Sequence, residues 1–93
     1  MSGLSEDDII LANKIADRIK KLRIHCSGEK QVDFVEKYNI DKQEISRWEN
    51  HVKKDKKTGK IKGRGITIYT ILKFCKMINI SLQEFFDDDL FRK

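Results

Sequence analysis

The sequence is poor in residues that crosslink or anchor a protein. Its 93 residues include two cysteines and no proline. No apolar run approaches the roughly 18–20 residues that span a bilayer, and no basic stretch precedes an apolar run near the N-terminus. A disulfide-stapled secreted domain needs several closely spaced cysteines. Because Cys26 and Cys75 each fall in an apolar-periodic stretch, we expect buried free thiols in a cytoplasmic protein without a membrane partner.

Clusters of residues that could carry chemistry are also scarce. Two histidines, His25 and His51, could join the cysteines as zinc ligands, but no C-x-x-C or H-x-x-x-H pair organises such a site. No Ser/His/Asp set, glycine-rich phosphate loop or carboxylate pair is arranged for catalysis. The run Asp87-Asp88-Asp89 is more simply an exposed helix end than a metal site. We therefore expect no cofactor and no enzyme activity.

Positive charge is abundant and concentrated in one segment. The net charge of +5 favours a polyanionic partner such as nucleic acid or an acidic membrane surface. Residues 52–65 contain seven basic side chains and one acid, Asp55, so this segment carries a net charge of +6 and the remaining chain −1. The basic residues are Lys53, Lys54, Lys56, Lys57, Lys60, Lys62 and Arg64. The glycines within the segment predict either a small hairpin or a mobile loop.

Hydrophobic periodicity predicts an all-α fold. A first helix runs from Ser5 to about Cys26, capped by Ser5 and the acids after it and ended by Ser27-Gly28. Its apolar face consists of Ala12, Ile15, Ala16, Ile19 and Leu22. A second helix runs from about Lys30 to Tyr38, where Asn39 can adopt the left-handed conformation that ends a helix.

Three further helices are predicted beyond Asn39. The third begins at Asp41, with Glu44 completing a capping box, and runs to about Asn50. The fourth is marked by Ile68, Ile71, Leu72, Cys75 and Ile78 and ends at Asn79. The fifth opens with a Ser81/Glu84 capping box and presents Leu82, Phe85, Phe86 and Leu90. We expect residues 1–93 to form a single domain.

The third helix has two chemically different faces. At 100° per residue, Ile45 and Trp48 lie opposite a wholly polar face. That face consists of Lys42, Gln43, Ser46, Arg47 and Asn50. Gln pairs bidentately with adenine and Arg with guanine, while Ser and Lys reach phosphates or base edges. The pattern therefore fits a major-groove reader, but periodicity alone leaves a solvated surface helix equally open.

Residues 31–50, QVDFVEKYNIDKQEISRWEN, resemble the helix-turn-helix of the phage-repressor/Cro-like (XRE-type) regulators. In that family a Gln opens the second helix, and the third ends in Ile-Ser-Arg-(apolar)-Glu-Asn. Residues 66–86, which contain Asn79-Ile80-Ser81-Leu82-Gln83-Glu84-Phe85-Phe86, are similar to the family's last two helices. The resemblance covers residues 17–50 and 66–86. It implies a compact five-helix lambda-repressor-like domain in which residues 1–12 extend helix 1 and residues 52–65 are inserted between helices 3 and 4.

The resemblance also assigns roles to individual residues. It places Lys42, Gln43, Ser46 and Arg47 in the major groove of double-stranded DNA and Asn50 near the backbone. It assigns Gln31 to a phosphate and to steadying Gln43, and it pairs Arg23 with Glu49 in a structural ion pair. The chain departs from the family pattern at Val35, Asn39 and His51, where Ala, Gly and Gly are usual. It also departs in the inserted segment, whose basic residues we expect to contact phosphates.

These features predict a sequence-specific transcriptional regulator, most simply a repressor, that binds a near-palindromic site as a homodimer. The dimer surface could come from Leu4, Ile9, Ile10 and Leu11, or from Phe85, Phe86, Leu90 and Phe91; internal packing is the alternative for both sets. Two other functions stay open. One is an antitoxin or controller protein that autoregulates its operon, and the other is a protein-interaction module on the same fold.

Overall fold

Helices account for most of the described chain, as the periodicity predicts. The computed structural model describes residues 5–63 and 65–92, and for Lys62 the backbone alone. The α-helices in this part are α1 (Glu6–Ser27), α2 (Gln31–Tyr38), α3 (Lys42–Glu49), α4 (Ile68–Ile78) and α5 (Leu82–Phe86). A 3-10 turn, Asp89–Phe91, follows α5. Among these residues, no helix is long and apolar enough to cross a membrane.

The inserted segment between α3 and α4 takes the hairpin alternative. Two short strands, β1 (Lys53–Lys54) and β2 (Ile61–Lys62), pair antiparallel. Lys53 lies opposite Lys62, and Lys54 lies opposite Ile61. The mostly helical architecture thus carries one small β-hairpin, and we refer to residues 53–62 as the basic arm.

Side-chain caps set the starts of the helices. At α1 the Asp8 amide donates to Ser5 Oγ at 3.1 Å, and the Ser5 amide donates to the Asp8 carboxylate at 3.1 Å. The same reciprocal box opens α5, between Ser81 and Glu84. At α3 the predicted box is wrong. Asp41 accepts from the Gln43 amide at 3.0 Å, but the Glu44 carboxylate accepts instead from Lys73 Nζ of α4 at 3.3 Å.

Two asparagines end helices in the left-handed region. Asn39 closes α2 with φ 52°, and Asn79 closes α4 with φ 62°. Asparagine tolerates this conformation. It is sterically strained for alanine and unstrained for glycine. The backbone of Asn39 therefore determines how the chain turns from α2 into α3.

We expect Asn39→Ala to lower the free energy of unfolding by about 1 kcal/mol and Asn39→Gly to leave it unchanged or slightly raised. Urea unfolding of the three proteins measures the difference. The same pair of substitutions at Asn79 is the matched control and should show the same order. An Asn39→Ala protein as stable as the glycine variant would show that the left-handed backbone carries no cost there.

The hydrophobic core is centred on Phe74 of α4. Its ring lies 5.9 Å from that of Phe34, 6.1 Å from Trp48 and 6.3 Å from Phe85, measured between centroids. The other buried members of this cluster are Ile19, Ile45, Ile71 and Cys75. All five helices therefore contribute to one core, and α3 enters it through Ile45 and Trp48.

The two cysteines differ in environment. Cys75 is fully buried, and burial raises the pKa of its thiol. Cys26 is only partly buried, so the expectation of buried thiols holds for Cys75 alone. The thiolate is the reactive form of cysteine, and the raised pKa disfavours it at Cys75, which packs in the core.

The end of the chain is tied to α1 through Arg18. Its guanidinium donates to the carbonyls of Phe85, at 2.7 Å, and Glu84, at 3.0 Å, and to the Asp88 carboxylate at 3.2 Å. A hydrogen bond from Lys21 Nζ lowers the pKa of Asp88, which also accepts from the Leu90 amide. The expectation of an exposed acidic helix end is therefore wrong for Asp88. Leu90 belongs to the 3-10 turn rather than to α5.

Candidate functional site

The outward face of α3 is polar, and its inward face is buried. Ile45 is fully buried and Trp48 is 6% exposed. On the opposite side, Ser46 is half-buried and the remaining members are exposed, namely Lys42, Gln43, Arg47 and Asn50. The division of α3 predicted from the helical wheel is therefore present in the structure. A face of this composition can present amide, guanidinium and hydroxyl groups to an external ligand.

Helix α3 is held at both ends by neighbouring elements. At its N-terminus, Glu44 accepts from Lys73, whose ammonium also lies 5.9 Å from the centre of the Trp48 ring. At its C-terminus, Glu49 meets Arg23 of α1. Only residues 39–41 separate α3 from α2. The polar face is thus mounted on a helix with little freedom to rotate or shift.

Arg23 and Glu49 form a buried ion pair. Their side chains are 2% and 6% exposed, and the guanidinium donates through Nε to Oε2 and through Nη2 to Oε1, the latter at 3.2 Å. Arg23 Nη1 also donates to the carbonyls of Gly28, at 3.2 Å, and Glu29, at 3.0 Å. A single side chain therefore joins α1, the α1–α2 turn and the end of α3.

Gln31 belongs to this same network. Its amide donates to Glu49 Oε1 at 3.3 Å, so it adds α2 to the elements gathered around the carboxylate. No hydrogen bond between Gln31 and Gln43 is found in residues 5–63 and 65–92. The steadying role that the resemblance implies for Gln31 is directed at Glu49 in this structure.

The basic arm is a closed turn with its lysines on the outside. Asp55, the only acid in the arm, accepts from the Lys57 amide through its side chain and from the Gly59 amide through its carbonyl, both at 2.8 Å. Gly59 supplies the positive φ, 71°, that this turn needs. The exposed lysines are Lys53, Lys54, Lys56, Lys57 and Lys60. Asp55 therefore shapes the arm rather than merely reducing its charge.

A concavity of about 490 Å³ separates the end of α3 from the arm. It is lined by Glu49, Asn50, His51, Lys53 and Gly63. The structure therefore brings the predicted residues Asn50 and Lys53 into the lining of one cleft. Arg64 and the side chain of Lys62, also predicted to contact DNA, lie outside the described residues.

Two residues that the sequence analysis did not single out contact the two residues just before the arm. Asn13 of α1 hydrogen-bonds the backbone of Val52, and Asp17 lies 2.6 Å from the His51 ring. Both residues look like ordinary polar positions on an amphipathic helix. No local signal could have found them, because their partners are more than thirty residues away in the chain.

The two candidate dimer surfaces differ in exposure. Phe85 is fully buried, and Phe86 and Phe91 pack against the core. By contrast, Ile10 and Leu11 are about half exposed at the start of α1, whereas Leu4 lies outside the described residues. On α4, Tyr69 is 80% exposed, and Ile68, one of the residues whose spacing marked this helix in the sequence, is 50% exposed. The start of α1 is therefore the more open of the two predicted surfaces.

Candidate metal ligands are not clustered in the part of the chain that the structure describes. No group of three or more His, Cys, Asp or Glu side chains there is placed to hold a metal ion. In comparisons with protein-family models, curated proteins and solved structures, the chain has no significant match. A functional proposal must therefore rest on the chain's own residues.

Proposed function

We propose that the protein is a sequence-specific DNA-binding transcriptional regulator, most simply a repressor, with a lambda-repressor-like arrangement of its helices. The observation that carries the proposal is the exposed polar face of α3 beside an arm of exposed lysines. The opposite face of α3 is embedded in the core, so the polar face is presented rigidly. A rigid polar helix flanked by positive charge has the chemistry needed to read bases and bind phosphates together.

In this proposal, different side chains of α3 contact bases and phosphates. Gln43 and Arg47 carry the planar groups that pair bidentately with adenine and guanine. Lys42 and Ser46 contact phosphates or base edges at the same surface. Gln31, at the start of α2, and Asn50, just after α3, are assigned to the DNA backbone.

The arm supplies affinity that is independent of sequence. Its exposed lysines begin at Lys53, six residues after Arg47, the last base-facing position of α3, so they start within reach of the adjacent phosphates or minor groove. Neutralised phosphates release counterions, which makes binding dependent on salt. In this proposal α3 selects the site and the arm strengthens binding to it, together with Arg64 and Lys62.

A two-fold dimer on a near-palindromic site completes the proposal, since one such domain touches few base pairs. The half-exposed Ile10 and Leu11 are the apolar side chains proposed for the two-fold contact. A cytoplasmic setting is consistent with two unpaired thiols. An antitoxin or controller protein that autoregulates its operon would use the same DNA-binding surface.

Selection of bound duplexes from a random DNA pool tests the proposal. We expect enrichment of a motif with two inverted half-sites whose centres lie about one helical turn apart. An enriched single half-site would contradict the dimer but keep the DNA-binding assignment. Failure to retain any duplex at low salt would overturn DNA binding and favour the protein-interaction module.

We expect Gln43→Ala and Arg47→Ala each to weaken binding to the selected site by about 1–3 kcal/mol while leaving binding to random DNA nearly unchanged. The loss arises because each side chain removes a base-edge contact without altering the phosphate contacts. Fluorescence anisotropy on both duplexes measures it. Gln83→Ala, at an exposed position of α5, is the matched control. Equal losses on both duplexes would reassign the two residues to phosphates.

A further inference from the structure

The residue that precedes the basic arm, Val52, is hydrogen-bonded to a side-chain amide of α1. Asn13 Nδ2 donates to the Val52 carbonyl at 3.1 Å, and the Val52 amide donates to Asn13 Oδ1 at 2.6 Å. Both polar groups of one backbone residue are thus paired with one side chain. Val52 itself is 3% exposed, and Asn13 is partly buried.

Further contacts surround this attachment. One turn along α1, Asp17 Oδ1 lies 2.6 Å from His51 Nε2. At the returning end of the arm, Gly63 has φ 86°, and a Cβ there would come within 3.3 Å of the His51 carbonyl. The backbone at Gly65 passes so near α1 that a Cβ would lie 3.4 Å from that of Ala12. Val52, just before the arm, and Gly65, just after it, therefore both lie against the same stretch of α1.

We propose that Asn13 is a positioning residue for DNA binding: it fixes the direction in which the arm leaves α3, so that helix and arm engage the duplex as one rigid unit. The cleft between them, with Asn50 and Lys53 on its walls, then receives the sugar–phosphate backbone of one strand. This inference rests on the proposed DNA-binding function. It adds a residue of α1 that does not itself touch DNA.

The physical reason is the cost of ordering. An arm that is already ordered loses little conformational entropy on binding, whereas a freely moving arm with the same charge loses more and therefore binds less tightly. Asparagine suits the task because it offers a donor and an acceptor in one plane. Alanine removes both groups, while the lysines and the polar face of α3 stay unchanged.

The test is a double-mutant cycle between Asn13 and the charge of the arm. Asn13→Ala is combined with an arm in which Lys53, Lys54, Lys56, Lys57 and Lys60 are replaced by Gln. With the native arm, Asn13→Ala should weaken binding to the selected duplex about tenfold, the effect of about 1.4 kcal/mol of ordering cost. With the neutral arm, Asn13→Ala should weaken binding less than twofold, because the arm then makes few phosphate contacts that depend on its position.

Hydrogen exchange provides an independent measurement of the attachment. The Val52 amide should exchange faster in Asn13→Ala than in the wild type, while the amide of Ile71 in the core should not change. Cys75→Ala is the matched control for general destabilisation. It removes a buried core side chain, and at a temperature where it is fully folded it should bind DNA like the wild type.

Each result decides the inference. Equal weakening in both arm backgrounds would show that Asn13 acts through the fold as a whole and would overturn the positioning role. Unchanged affinity with the native arm would also overturn it. A wild-type protein that binds no duplex would overturn the proposed function itself, and with it the inference. A loss of affinity confined to the charged arm, with faster Val52 exchange, would establish it.

Discussion

Arg23→Ala is expected to lower the free energy of unfolding by about 3–5 kcal/mol, because it leaves the Glu49 carboxylate buried without its cation. The same substitution also removes the donors to the Gly28 and Glu29 carbonyls, which shape the turn between α1 and α2. For a domain of this size such a loss is a large part of the total stability. Chemical denaturation followed by the fluorescence of Trp48, the only tryptophan, measures it.

A double-mutant cycle separates the energy of the Arg23–Glu49 interaction from the other contacts that the two side chains make. Glu49→Ala should be destabilising but less so, because Arg23 keeps its two carbonyl acceptors. The double variant should lose less than the sum of the single losses, whereas strict additivity would show that the two side chains do not interact. Arg92→Ala is the matched arginine control. Its partners Asp87 and Asp89 are exposed, so stability should hardly change.

Neutralising the basic arm is expected to produce the largest change in DNA binding. With Lys53, Lys54, Lys56, Lys57 and Lys60 replaced by Gln, the slope of log affinity against log salt should become about 3–4 units shallower, at ~0.9 per phosphate contact. Sequence preference should barely change, because α3 is untouched. Titrations of a specific and a random duplex across a salt series measure both quantities.

A charge-matched variant distinguishes contact from general attraction. Replacing Lys54, Lys56 and Lys57 by Gln takes the net charge from +5 to +2, as does replacing Lys20, Lys37 and Lys76, which lie outside the arm. Only the first set should reduce the salt slope substantially. Equal slopes for the two sets would mean that the arm stays off the DNA, and a protein partner would then be the better assignment for it.

The Arg23 and arm experiments address two elements that are attached to the same helix, α1. The Arg23–Glu49 pair holds the end of α3 to α1, and Asn13 holds the start of the arm to the same helix. Helix α1 thus supports the proposed base-reading element and the proposed phosphate-binding element together. For each variant, the free energy of unfolding and the DNA affinity should therefore be measured on the same folded sample.

Local signals in the sequence determined most helix boundaries. The boxes at Ser5 and Ser81 and the left-handed stops at Asn39 and Asn79 depend only on residues within one turn. The polar face of α3 was equally readable, since the contrast with Ile45 and Trp48 follows from 3.6-residue periodicity. The concentration of charge in residues 52–65 is likewise a property of the chain itself.

Helix α4 shows where periodicity fails. It is apolar around most of its circumference, so the sequence could not choose between Ile68, which is half exposed, and Phe74, which is the centre of the core. Glu44 shows the same limit at a cap. The sequence predicts a capping box in which its carboxylate completes the start of α3, but in the fold that carboxylate accepts a hydrogen bond from Lys73 of α4.

The candidate site therefore has two origins. Which side chains of α3 face outward, and how much charge the arm carries, were determined by the sequence, because they depend on helix geometry and composition. Where the arm points, and what holds α3 in place, were decided only by the tertiary structure. Asn13 and Val52 are 39 residues apart and Arg23 and Glu49 are 26 apart, so neither pair leaves a periodic trace in the chain. Such contacts exist only once the hydrophobic core has brought the helices together.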